Sequence, residues 1–145
     1  MLQRENGFTL IESLFVLSIF LIITTVSLVY LTPQNNQVEK QLFFSRLKAD
    51  LLYAQAYAMS SKESVSVNIL PQKHQYYIRR FNGELLVNRT YSKKIKIREG
   101  SISLYFKFNS DGNINSFGSF YIYFNEEQYR LTFLIGRGRF YVLKL

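Results

Sequence analysis

Hydrophobic and polar positions divide the chain into three regimes. Residues 8–31 read FTLIESLFVLSIFLIITTVSLVYL, 24 positions whose only charge is Glu12. A helix of that length extends roughly 36 Å, enough to cross a hydrocarbon layer of about 30 Å. Residues 32–36, TPQNN, form a polar break with turn chemistry. A helical period then resumes over 38–60, where Leu42, Phe43, Leu47, Leu51, Ala54 and Ala58 make one apolar stripe. Glu39, Lys40, Arg46, Lys48, Asp50 and Gln55 are assigned mostly to the other faces. Beyond Ser60 the period becomes two. The predicted strands are 65–70, 75–81, 84–91, 94–98, 102–108, 119–124, 129–135 and 139–143. Asn82-Gly83 is a two-residue hairpin signal, and Asp111-Gly112-Asn113 and Asn125-Glu126-Glu127 mark further turns. One helical region followed by eight short strands predicts an α+β chain with a small antiparallel β domain.

Composition adds that this domain has material for a core. The chain holds 11 Tyr and 13 Phe, which argues against a disordered polymer. It has no cysteine, so neither a disulfide framework nor a thiolate metal site is available. Charge is uneven: residues 1–70 carry five Lys/Arg and five Asp/Glu, whereas 71–145 carry thirteen and five. The whole net charge of +8 therefore resides in the β region, which will attract anions: nucleic acid, wall polymers or acidic partners.

The apolar run is too long for the core of a secretory signal peptide, and its far end lacks an A-x-A-like cleavage site. A plain single-pass anchor does not explain Glu12. A carboxylate costs roughly 2.5–3.5 kcal/mol at the centre of a membrane helix, less near an end, and is a functional hypothesis by default. The residues around it, Gly7-Phe8-Thr9-Leu10-Ile11-Glu12-Ser13-Leu14, closely resemble the prepilin-peptidase motif of type IV pilins and type II secretion pseudopilins. The resemblance implies cleavage after Gly7, methylation of the new Phe8 amine, and pairing of Glu12 with the N-terminal amine of a neighbouring subunit. Arg4 in the leader favours a cytoplasmic start. Many filament-forming pilins carry a proline late in the anchor; here residues 21–31 have none, and Pro33 follows.

Within this superfamily the chain is most similar to minor pseudopilins of the GspH/FimT type, and among them to those of the Gram-positive competence pseudopilus. The stretch Leu47-Lys48-Ala49-Asp50 with Ala54, Gln55 and Ala58, and the late Ile135-Gly136-Arg137-Gly138-Arg139, carry the narrower resemblance. It implies a pilin-like fold, a long N-terminal helix, half transmembrane, packed on a small antiparallel β domain. The expected division is a prepilin leader at 1–7, a transmembrane assembly helix at 8–31, a linker and amphipathic helix at 32–61, and the β domain at 62–145. The implied partners are other pilins or pseudopilins, prepilin peptidase and the membrane, with the β domain outside the cell and at the surface once assembled. The implied role is to help exogenous DNA cross the envelope; the alternatives are a type II secretion-like pseudopilin or a dedicated DNA-binding minor pilin that uses the Gly136–Arg139 segment.

Little in the chain suggests catalysis. His74 is the only histidine and is expected as a solvated loop side chain. Asp111, Glu126 and Glu127 sit at turns, where carboxylates serve turn geometry, and hold a cation only if the turns converge. The expectation is no enzyme, no cofactor and no metal. Two basic features are candidate DNA contacts. If residues 136–139 are extended, Arg137 and Arg139 form a two-guanidinium clamp about 7 Å apart; if they turn, the flanking glycines take positive φ and the arginines are merely exposed. Lys94, Lys96 and Arg98 alternate with Ile95 and Ile97, placing three cations on one strand face, whose plain role is solvation.

Overall fold

The computed structural model describes the backbone of residues 9–136 and 138–145, and their side chains outside 28–35. Helix α1 (Leu10–Ser61) precedes strands β1 (Val65–Leu70), β2 (Gln75–Arg80), β3 (Leu85–Thr90), β4 (Ile95–Arg98), β5 (Tyr105–Phe108), β6 (Gly118–Phe124), β7 (Glu127–Phe133) and β8 (Phe140–Lys144). The strands form two antiparallel sheets in the orders β3-β2-β1-β5 and β4-β6-β7-β8. The chain crosses to the second sheet for β4, returns beside β1 for β5, then completes the second sheet with three consecutive strands. All eight predicted strands are present, with ends shifted by a few residues.

The chain divides into two compact units, one ending at Leu42 and the other comprising Phe43–Leu145. In the first unit the window Leu10–Ser27 has a mean hydropathy of 2.2 and buries nothing within the chain. A helix apolar on every side is stable only in lipid or against other helices. Its hydroxyls do not spoil that surface. Ser18, Thr24, Thr25 and Ser27 each donate to a carbonyl of the preceding turn, at 2.7–3.0 Å. No hydroxyl donor there is left unmet, as an apolar layer requires.

The expected break at 32–36 is absent, because α1 continues through it. Pro33 lacks an N–H and withholds one bond from the carbonyl four residues earlier. Long helical stretches on both sides outweigh that local cost, which is about 3 kcal/mol for an interior proline.

In the second unit Phe43, Leu47, Leu51, Ala54 and Ala58 are buried, as the periodicity predicts, whereas Leu42 is 45% exposed. Leu42 is one position out of phase with Phe43, and a helix face is too narrow to bury both. The stripe meets the inward residues of both sheets, including Val65, Val67, Ile78, Ile97, Ile122 and Leu131. Phe106, Phe108, Phe120 and Phe133 form a ring cluster with centroids 5.0–6.5 Å apart.

Asp50 corrects the sequence reading. It is buried in the apolar stripe rather than on a polar face. Its Oδ2 accepts the Tyr76 hydroxyl at 2.7 Å and Arg89 Nε at 3.2 Å, tying α1 to β2 and β3. Tyr91 packs beside this network, stacked on Tyr76 and edge-on to Phe43 and His74. His74 is accordingly half-buried, not solvated; it takes a left-handed φ of 48° at the end of the short 3₁₀ turn Pro71–Lys73.

Two outcomes are expected from this network. Tyr76→Phe should lower unfolding free energy by about 1–2 kcal/mol. Asp50→Ala should cost about 2–3 kcal/mol, because it strands a buried hydroxyl, while half-exposed Arg89 recovers water. Denaturant unfolding of the full chain in detergent measures both. Burial raises the pKa of Tyr76, and its hydrogen bond to Asp50 adds to the rise; burial alone pushes Tyr91 up to about 12. Unfolded tyrosine titrates near 10, so above that pH the unfolded chain ionises first. Stability should be unaffected by these groups below about pH 10 and fall between about 10 and 12. Tyr91→Phe should flatten part of that fall in unfolding curves recorded against pH.

Candidate functional sites

The first candidate lies at the start of α1. Gly7 and Phe8 are outside the described residues, so the geometry begins at Thr9. Thr9 donates its backbone N–H and its hydroxyl to Glu12 Oε2, each at 2.9 Å, and the Glu12 N–H points back to Thr9 Oγ1 at 3.4 Å. This is a capping box, in which residues three apart satisfy each other's donors at a helix start. The Thr-x-x-Glu signature for it stands in the sequence, alongside the pairing with a neighbouring amine that the prepilin resemblance implies for Glu12. Both bonds fall on Oε2, so Oε1 keeps its lone pairs for an outside cation. The carboxylate is held rigid and half-satisfied.

The second candidate is the segment 136–139, of which Gly136, Gly138 and Arg139 are described. Leu134 N–H donates to Arg139 O at 2.8 Å, closing the connection from β7 to β8. Gly136 and Gly138 have φ of 86° and 55°. Gly138 is also sterically required: a Cβ there would approach Gly112 O to 2.5 Å and Gln55 Nε2 to 2.7 Å. Those two atoms are themselves bonded at 2.9 Å. Both glycines thus take the positive φ expected of a turn, and the clamp itself rests on Arg137. Arg139 is exposed, and Arg137 is outside the described residues.

The third candidate is β4. Lys96 and Arg98 face outward and are exposed, between buried Ile95 and Ile97. Lys94 is exposed in the turn before the strand, where its N–H reaches Ser92 Oγ at 3.3 Å, so the strand face carries two of the three expected cations. The sheet order separates β4 from β8 by two strands. Arg139 and the β4 cations are thus at least about 14 Å apart across the sheet and make no single cluster. What β4 does meet is β6, with Lys96 opposite Tyr123 and Arg98 opposite Tyr121.

The turn carboxylates do not converge, and among the described residues no group of three or more His, Asp or Glu is placed to hold a metal. Asp111 bonds the N–H and side-chain amide of Asn113, which lowers its pKa. Glu127 engages Tyr129 and Lys144. An open cleft of about 620 Å³ lies where β1, β4 and β5 meet, lined by Ile69, Leu70, Ile97, Arg98, Glu99 and Tyr105 among others. Its carboxylate, Glu99, is occupied by Ser103 Oγ and the Leu104 N–H.

Comparison with known proteins agrees with this picture. Residues 2–28 match the family described as the prokaryotic N-terminal methylation motif. The competence protein ComGD of Bacillus subtilis is 28% identical over 138 residues, covering 95% of this chain and 93% of that protein. Among solved structures, the minor pseudopilin EpsH of the Vibrio cholerae type 2 secretion system superposes with a TM-score of 0.58 at 15% identity, covering 73% of this chain and 97% of that one. The type IV minor pilin FimU of Pseudomonas aeruginosa gives 0.57 at 21% identity, covering 68% and 88%. At those identities the structures speak to fold alone. The chain thus carries a prokaryotic N-terminal methylation motif on an apolar helix, is similar to ComGD along nearly its whole length, and has the fold seen in minor pseudopilins and minor pilins.

Proposed function

We propose that this chain is a minor pseudopilin of a competence pseudopilus, supporting passage of exogenous DNA across the cell envelope. The observation that carries the reading is the similarity to ComGD over nearly the full length of both chains. The likeness to EpsH bears on fold and does not favour a secretion system. In this reading residues 1–7 are a cytoplasmic leader, removed after Gly7, and Phe8 becomes the methylated N-terminus. Residues 8–31 cross the membrane and later line the filament. The rest of α1 (through Ser61) and the β domain lie outside the cell.

Glu12 is the assembly charge. A positive amine and a carboxylate 4 Å apart attract by about 4 kcal/mol at an effective dielectric near 20, before desolvation. Removing the carboxylate leaves the neighbour's amine uncompensated in an apolar layer. The free Oε1 gives that amine an acceptor, while Thr9 keeps the group from swinging away. DNA handling is supported by the net charge of +8 lying wholly in residues 71–145. Lys94, Lys96, Arg98 and Arg139 are its exposed candidates, and Arg137 its undescribed one.

Gly7→Val should leave the chain uncut, detected as an intact leader by mass spectrometry. Glu12→Val should be cut and methylated yet fall out of the filament, lowering transformation by roughly tenfold or more, since each 1.4 kcal/mol is a factor of ten. Wild-type transformation by the Glu12→Val strain would sink the assembly role. Loss of protein secretion with transformation intact would move the chain to a secretion system.

A further inference from the structure

The outward face of the second sheet combines cations with tyrosines in register. Opposite-strand pairing lines up Arg98, Tyr121, Arg130 and Leu143 in one row across β4, β6, β7 and β8. The next row holds Lys96, Tyr123 and Gln128, and a third holds Ser119, Thr132 and Tyr141. Their chain neighbours Ile97, Ile122, Leu131 and Phe120 are buried, so alternation turns these rows to solvent. Three cations and three tyrosines share the face. No Asp or Glu falls in the outward positions of these four strands.

Three other cations of the domain are committed to carboxylates. Arg80 pairs with Glu63 and Glu84, Arg89 with Asp50, and Lys144 with Glu127. Lys96, Arg98 and Arg130 form no ion pair among the described residues. Arg130 Nε, shielded from solvent, makes no hydrogen bond within the chain. Tyrosine faces differ between the sheets as well. On the first sheet Tyr77 and Tyr105 lie under their own cations, Arg79 at 4.4 Å and Lys107 at 5.6 Å, which occupy the ring face a stacking partner needs. On the second sheet only Tyr123 is so covered, by Arg98 at 5.4 Å. Tyr121 and Tyr141 carry no cation over the ring.

We propose that this face binds single-stranded nucleic acid, with unpaired bases stacking on Tyr121 and Tyr141 and phosphates held by Lys96, Arg98 and Arg130. Cations alone suit any polyanion. Open rings interleaved with them suit one whose bases are exposed, since each stacked base adds attraction that a duplex or a wall polymer does not offer. Strand spacing of about 4.8 Å and an i to i+2 step of about 7 Å set rings and cations apart at the scale of successive nucleotides. The surface names a ligand for the DNA-handling role proposed above and takes its biological meaning from that role.

The test uses the full-length chain in detergent and the anisotropy of a labelled single strand of about 16 nucleotides. The matching duplex and a poly(glycerol phosphate) polymer serve as competitors. The expected result is preference for the single strand, with a log–log salt slope of about −2 from three phosphate contacts at roughly −0.7 each. Tyr121→Ala with Tyr141→Ala should weaken binding on the order of tenfold or more, whereas the two Tyr→Phe changes should not. Lys96→Gln with Arg98→Gln should bring the slope to about −0.7. Circular dichroism checks that each variant is folded, and the Tyr→Phe pair keeps the test decisive if the alanine pair unfolds: its binding must match the parent. The proposal is overturned by absence of binding, by equal affinity for strand, duplex and polymer, or by unchanged affinity in a folded alanine pair. A chain that supports transformation but fails here loses this surface and keeps its filament role. One that binds the strand but is dispensable for transformation loses the filament role and keeps the surface.

Discussion

Everything in this molecule depends on α1 serving two solvents with one continuous backbone. Over its first half every side is apolar, so its burial has to come from lipid or neighbouring helices. Over its second half one stripe is apolar, and burial comes from the chain's own sheets. Two polar contacts pin the helix, one in each unit. Thr9 fixes Glu12 near the start, and Tyr76 with Arg89 fixes Asp50 in the domain-bound half.

Legibility followed the strength of the periodic signal. The strands alternate cleanly between buried and exposed positions, as in β1, β4 and β6, so period two located them. The helix stripe was readable for the same reason. What escaped notice was polar chemistry that is in phase with an apolar pattern. Asp50 follows Leu47 by three and precedes Ala54 by four, and so belongs to the stripe; its charge alone moved it to another face. The capping box was equally visible as Thr9-x-x-Glu12 and was hidden by attention to the membrane cost of Glu12. The continuity of α1 through Pro33 was not readable, because a local breaker signal competes with stability supplied by distant packing.

The sites divide along the same line. The motif at Gly7 and Phe8 is a local string and is legible without any fold. A surface assembled from four strands is not. Arg130, Tyr121 and Tyr141 have no sequence neighbours in common, and only the order β4-β6-β7-β8 joins them. That order contains a crossover through β5 in the other sheet, which no turn signal predicts. Conversely, Arg137 and Arg139 look like a unit in sequence, yet Gly136 and Gly138 take positive φ there, and the glycines serve the turn.

The charge distribution bears on how such a chain is used. A domain carrying the entire +8 repels copies of itself wherever surfaces approach within the screening length, about 8 Å at physiological ionic strength. The assembly half carries no such penalty, since residues 1–70 are balanced. A filament made of this subunit alone would accumulate repulsion along its outside while its helices attract within. In the filament proposed above, interleaving with less basic subunits would remove that conflict, because it separates the basic domains by more than the screening length while the balanced helices still pack, and it would leave their cations available to an anionic strand.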